Sequence, residues 1–383
     1  MPDSSKVKLP TSFLRIGQQL PVDVYAKNGL LLLKKGHYVL TPEQRERLVT
    51  LAHGDSEEVA ARLEREQLER AAQREKEAAA QVQPNPIMEL GFQTRRAEGL
   101  LLHGLAVPGL AGRLADMADA LIRLASKQPD GVLASVLLTP YRDIGSAHSV
   151  HVAAIMAVLG RRLGMEEARL QAVVGAALSM NLAITGLLNQ LSRQPTPPDA
   201  AQRDDLYAHP IVGSAILREA GVVDEHWHLL VQTHQEQRGG DGYPQGLRGE
   251  DIHPDAALLH MVDVLCSCIH QPQPALPALV IGSLYRGELG DFDPQHAALL
   301  IKELGVYPPG SFVKLASNEI GVVTHRSDKA NAPRVAALRK LDGAPYADAL
   351  LRDTRQNAYR VLEAVPLAAA TVKPAYLAKL WQK

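Results

Sequence analysis

The chain has 383 residues, of which 46% are apolar and 22% charged. That composition excludes a disordered or collagen-like chain, and the length predicts two or three domains at roughly 150 residues each. With 41 basic residues against 42 acidic ones and 4% aromatics, neither a polyanion-binding face nor a stacking platform for single strands is expected, so nucleic acid is excluded as the main partner.

Residues 1–54 read as a small β/α module. The first residues, Met1 to Lys6, hold no apolar stretch, so no secretory leader is expected. Val22, Val24 and Leu30–Leu33 are strand-like, and Asn28-Gly29 between them is a hairpin turn. Thr41-Pro42-Glu43-Gln44 opens a helix that should run to about His53-Gly54. Thr41 is placed to cap it, Pro42 fits its first turn and Gln44 completes a capping box. Residues 55–86 form a charged linker helix with pairs such as Glu58–Arg62 and Glu66–Arg70, ended by Gln83-Pro84-Asn85-Pro86. Its apolar stripe (Val59, Leu63, Leu68) is thin, and it suits either a solvated linker or a dimerising coiled coil.

Residues 87–304 are helix after helix, with apolar faces of helical period over 115–126, 145–164, 166–179, 205–219, 222–236, 256–270 and 293–304. A Pro- and Asp-rich loop at 194–205 and a Gly-rich loop at 238–249 interrupt them. Residues 305–383 form an appendage: a hairpin of Phe312–Leu315 and Ile320–Thr324 around Asn318, a strand at 333–340 and a helix at 355–363. The fold class is mainly α, a helical domain flanked by two small β-containing units. No apolar run approaches the ~20 residues that span a bilayer, so no membrane is expected as partner. The two cysteines, Cys266 and Cys268, fall on different faces of one helix and cannot pair. A chain without a disulfide suits the reducing cytoplasm.

Nine of the 14 His lie between His148 and His270, which makes the helical domain the place to look for chemistry. The sharpest feature there is the loop from His234 to Leu247. Its glycines permit close backbone approach, Tyr243-Pro244 stiffens its exit, and Arg238 is suited to meet a phosphate. His226 and His228, two apart, do not share a helix face and read as surface, with Trp227 in the core or an interface. No Walker loop, dinucleotide fingerprint or Gly-x-Ser-x-Gly elbow occurs.

The order of these pieces resembles the HD-GYP family of the HD phosphohydrolase superfamily, bacterial proteins associated with cyclic di-GMP. The matching segments are Ala147–Ala154, Gly175–Leu178, Ala208–Gly213, Gly240–Leu247 and Met261–Val264, and the likeness covers roughly 140–325. Members hydrolyse the dinucleotide with two or three metal ions, usually iron or manganese, that generate the nucleophile at neutral pH. The resemblance places metal ligands at His148, His209, His234 and Asp263. The His-Asp pair that names the family stands here as Met180-Asn181, and the second member of its His-His pair as Gln235. A family Lys near the substrate phosphate aligns with Ile184, and an acidic ligand of some members with Ile144. Asn181 is a poor bridge and Met180 a soft ligand that hard cations avoid. The resemblance therefore implies a catalytically impaired member, with no residue assigned confidently to catalysis. The surviving set suits one Fe²⁺, Mn²⁺ or Zn²⁺, or none. Arg238, Gly240, Asp241, Gly242, Tyr243 and Pro244 are expected to meet cyclic di-GMP or a signalling partner such as a diguanylate cyclase domain, with a homodimer also open. The alternative is a cyclic di-GMP phosphodiesterase with a reduced metal site, so whether the chain is an enzyme stays open.

Overall fold

The computed structural model describes residues 5–81, 85–139, 142–270, 275–372 and 374–381. Gln83 and Pro84, and Gln271–Pro274, lie outside the described residues, as does the side chain of Arg70. The chain divides into two compact units, Met1–Gln83 and Pro84–Lys383, each described by itself.

The first unit is an antiparallel sheet in the order β1-β4-β2-β3, with β1 at Lys6–Lys8, β2 at Val24–Tyr25, β3 at Leu31–Leu33 and β4 at His53–Asp55. The turn joining β2 to β3 forms where Asn28-Gly29 required it. Gly29 takes φ +82°, which costs glycine nothing, and Asn28 Oδ1 accepts the Leu30 N–H at 3.2 Å. Helix α1, Pro42–Leu51, starts as expected, with Thr41 Oγ1 accepting from Gln44 N at 3.2 Å. It ends at Leu51 rather than at His53-Gly54, because His53–Asp55 leave the helix to pair with β1 and β2. Leu14, Leu20, Val24, Val39 and Leu48 fill the core. Helix α2, Ser56–Gln81, buries Val59 in that core but leaves Leu68 exposed, and carries the Arg62–Glu66 and Arg65–Glu69 pairs.

The second unit is built on α3 (Pro86–Leu101), α4 (Leu110–Lys127), α5 (Pro129–Leu138), α6 (Ile144–Arg162), α7 (Glu167–Ser179), α8 (Thr185–Leu191), α9 (Ala200–Glu219), α10 (Glu225–Thr233), α11 (Pro254–Ile269), α12 (Pro277–Tyr285) and α13 (Pro294–Leu304). Helices α3, α5, α8 and α12 were not signalled by periodicity. In α5 nearly every side chain is apolar and buried, so there is no polar face to produce a period. The expected loop 194–205 is shorter than its composition implied. Asp199 and Gln202 make a reciprocal capping box that starts α9 at Ala200.

Helix α6 is the axis of the unit, buried on all sides and packed against α3, α4, α7 and α11. Two glycines let its neighbours close in. A Cβ on Gly160 would lie 2.4 Å from Leu170 Cδ1, and one on Gly175 would lie 2.2 Å from Trp227 Cη2. One segment, Glu167–Leu191, is long and apolar enough to cross a membrane by length and composition, but 78% of it is buried within the fold. It is a core segment by that measure.

The C-terminal sheet runs β8-β7-β6-β5-β9, all antiparallel, with β5 at Phe312–Leu315, β6 at Glu319–His325, β7 at Arg334–Lys340, β8 at Pro345–Asp353 and β9 at Val361–Val365. The helix expected at 355–363 is not there. That stretch is a single 3₁₀ turn, Asn357–Tyr359, followed by β9, whose backbone finds its partners in β5. A short helix α14, Pro374–Ala378, follows. The sheet packs on α5 through Ile320, Val322, Ala134 and Leu138. Arg326 ties it down further, donating to Asp130 and to the Glu303 carbonyl, both at 2.5 Å.

Candidate functional site

Helices α6, α9 and α11 and the turn after α7 bring His148, Asn181, His209 and Asp263 to one cleft of about 420 Å³, with His234 of α10 buried beside His209. His148 comes from the first half of α6, where Asp143 caps the helix by accepting from Ser146 N at 2.7 Å. His209 lies midway along α9, His234 ends α10, and Asp263 sits inside α11. Its polar lining includes His148, Asn181, His209, Gln235, Tyr243, Asp263 and His270, and its apolar lining Ile144, Ile184, Leu188, Leu191 and Leu206. No Lys or Arg side chain is among the lining residues.

The hydrogen bonds fix where the protons sit. His209 Nδ1–H donates to Leu206 O at 2.6 Å and His234 Nδ1–H donates to Val231 O at 2.8 Å. A carbonyl can only accept, so both Nε2 atoms carry lone pairs, and they face each other at 3.0 Å. Two imidazole lone pairs at that separation repel unless a proton or a cation is shared. Donation of the far N–H to a backbone carbonyl is also the arrangement that orients metal-binding imidazoles. Asp263 lies beside them. Its Oδ1 accepts from His148 Nε2–H at 2.5 Å and its Oδ2 from Gln235 Nε2 at 3.3 Å. Burial pushes the Asp263 carboxyl up, but the His148 bond and the surrounding imidazoles outweigh it and hold the group down at about 2. Burial drives His234 down to about 3 and His209 below the usual imidazole range, so both are neutral donors at pH 7.

A second histidine pair stands behind His148. His270 Nδ1 is 3.4 Å from His148 Nδ1, and His270 Nε2 is 2.8 Å from His151 Nδ1. Burial, with the neighbouring imidazoles, lowers His151 to about 3 and pushes His270 lower still. The Asp263 carboxylate can only accept from His148, and the rings of His270 and His151 continue the chain behind it. His148 therefore spends its Nε2 proton on Asp263, and His209, His234 and the Asp263 carboxylate are the donors available to a cation. By donor type that set suits a borderline divalent ion, although its three donor atoms do not all lie within 4.8 Å of one another. It offers nothing for a second ion. Met180 is buried in the hydrophobic core, Asn181 brings a neutral amide to the cleft, and Gln235 is engaged by Asp263.

Among the described residues, the one group of three His/Asp donors that lie within 4.8 Å of one another is His226, His253 and Asp255. That group does not suit a cation. Arg169 takes both Asp255 oxygens at 2.7 and 2.8 Å, so an ion there would face a guanidinium. Neither His226 nor His228 is a simple surface residue. His226 Nε2 bonds Asp255 at 2.9 Å. His228 is fully buried, donating to Val222 O at 2.9 Å with its Nδ1 3.0 Å from Ser214 Oγ. Trp227 is core, donating to Ser179 Oγ at 2.9 Å.

The Gly-rich loop is held by Glu236, a residue that composition did not single out. Its buried carboxylate accepts from Gln245 N at 2.7 Å and Leu247 N at 2.9 Å. Gly242 lies so close to the incoming chain that a Cβ would stand 2.3 Å from Gln237 N. The Tyr243-Pro244 peptide is cis. Of the loop residues expected at a ligand, Tyr243 alone lines the cleft. Gly240, Gly242, Asp241 and Pro244 do not, and the last two are exposed. Arg238 is half-buried and paired with Asp293 at 3.3 Å. The other residue that sequence reasoning passed over is His270, whose one signal was membership of the histidine-rich stretch; His151 was legible from its place one turn from His148.

Residues 114–279 match the family model of the HD domain. That segment, somewhat under half of the chain, is thus similar to an HD domain. Over 233 residues it is 27% identical to the cyclic di-GMP phosphodiesterase PA4108 of Pseudomonas aeruginosa, a match covering 57% of this chain and 54% of that protein. The chain thus spans about half the length of the curated relative it matches. Among solved structures it is similar to Bd1817, an HDG"Y"P protein from Bdellovibrio bacteriovorus, with 18% identity and a TM-score of 0.49, covering 77% of this chain and 98% of that one.

Proposed function

We propose that this chain is a catalytically impaired HD-GYP protein that binds cyclic di-GMP in the cleft without efficient hydrolysis, as a cytoplasmic signalling module. The observation that carries this is the composition of the cleft. One His/His/Asp donor set survives, while Asn181 and Gln235 stand where a second ion would need anionic or imidazole ligands. A bound metal would supply Lewis-acid polarisation of a phosphate oxygen. His209, His234 and Asp263 would hold it, and His148, backed by His270 and His151, would keep Asp263 oriented. With one ion, the second charge that stabilises the leaving oxygen in two-metal sites is missing. The ordered Gly-rich loop, with Asp241 and Pro244 exposed, offers a rigid surface for a protein partner.

The His209–His234 pair also favours a second reading, a phosphodiesterase working with a single ion. Calorimetric titration of cyclic di-GMP into metal-analysed protein separates the two. Saturable heat with no linear dinucleotide supports a receptor. Linear product that vanishes in His209→Ala supports the enzyme. A flat trace excludes both and leaves the loop as a protein contact.

A further inference from the structure

We propose that Tyr207 is a stacking platform for a nucleobase of the ligand. The inference deepens the cleft's assignment as a nucleotide site and rests on it. Tyr207 lies on α9 two residues before His209, and its ring is 4.7 Å from the Tyr243 ring at 49°. Tyr243 lines the cleft, with its ring 6.1 Å from His209, which is 5.0 Å from His234. The aromatic rings form a continuous path from the cation donors to the protein surface. At its outer end Tyr207 is 61% exposed, so its ring meets Tyr243 at a tilt while much of it stays open to solvent.

The cleft's charge makes such a platform necessary. A cyclic dinucleotide carries two phosphates, and the lining residues offer no Lys or Arg to meet them. Arg238, the cation that the loop sequence offered, is turned to Asp293. Attraction at the phosphates is therefore confined to the cation donors, and the remaining affinity has to come from the bases. An open aromatic ring at the mouth of the cleft, one ring beyond Tyr243, supplies it, because every base has a π-face and stacking needs no added charge. Tyr207 is thereby a specificity residue: it favours ligands with a purine or pyrimidine and gives nothing to a bare phosphate or a sugar phosphate.

The test uses the full chain and a cyclic dinucleotide with 2-aminopurine in place of one guanine. Wild-type protein and Tyr207→Phe should bind it with strong quenching of the 2-aminopurine emission. Tyr207→Ala should bind about tenfold or more weakly, within the roughly 5- to 150-fold range of base–aromatic stacking, with the quenching lost. Its metal content and melting temperature should match wild type, because Tyr207 is exposed and donates nothing to the cation set. Equal affinity and equal quenching in wild type and Tyr207→Ala would overturn the platform while leaving the nucleotide site in place. Absence of binding to wild type would overturn both, and would mark the Tyr207 face as a protein contact.

Discussion

Replacing Glu236 tests how the loop that delivers Tyr243 is built. The buried carboxylate takes two backbone N–H groups, Gln245 at 2.7 Å and Leu247 at 2.9 Å. A hydrogen bond to a charged group contributes about 1.5–3 kcal/mol, so loss of both would cost about 3–6 kcal/mol if the donors stayed dry. Gln245 is exposed and Leu247 half-buried, so water can replace part of what is lost. Glu236→Ala is therefore expected to destabilise the second unit by about 2–4 kcal/mol. Glu236→Gln should fall between, because the amide presents one acceptor and turns its NH₂ toward the second donor. Urea unfolding followed by circular dichroism gives the free energy, and hydrogen exchange at Gln245 and Leu247 locates it. A loss under about 1 kcal/mol, with no faster exchange at those two amides, would refute the assignment of Glu236 as the loop's anchor.

Other outcomes follow from the same geometry. His209→Ala should abolish binding of a single divalent ion, and His148→Ala should weaken it about 10–100-fold by releasing Asp263. Metal analysis after reconstitution decides, and a His209→Ala protein that keeps its ion would contradict the donor set. Gly175→Ala would place a Cβ 2.2 Å from the Trp227 ring. It is expected to cost about 1–3 kcal/mol or more in thermal stability and to shift Trp227 emission; an unchanged melting curve would count against the packing described. In the C-terminal sheet, the Arg352 hydrogen bonds lower Glu319 from 4.5 to about 2, helped by Ser317 and Tyr346. A carboxyl depressed in the folded state stabilises above its unfolded value and loses that contribution as pH falls toward its folded one. The sheet should accordingly lose stability as pH drops from 4.5 toward 2, and Glu319→Gln should flatten that limb. Parallel acid profiles for the two proteins would show that Glu319 is not the group responsible.

Local chemistry was readable wherever one residue type dictates a conformation. Asn28-Gly29 specified the hairpin, Thr41-Pro42 the start of α1, and amphipathic spacing most of the helices in the second unit. Ordered motifs located His148, His209, His234, Asp263 and the Gly-rich loop before any coordinates. Where the sequence misled, partners distant along the chain decided. His53–Asp55 became a strand because β1 and β2 offered their edges, Val361–Val365 because β5 did, and α5 hid its period by being buried on nearly every face. The site divides in the same way. The family resemblance supplied the expectation that His148, His209, His234 and Asp263 are retained ligand positions and that Met180, Asn181 and Gln235 replace others. Only the fold could show that His148 donates to Asp263, that His151 and His270 stand behind it, and that His209 and His234 aim lone pairs at each other. Only the fold could show Glu236 holding the loop and the Tyr207 ring set against Tyr243. Hydrogen bonds and ring contacts depend on side-chain direction across helices 25 to more than 100 residues apart, and no local pattern encodes that direction.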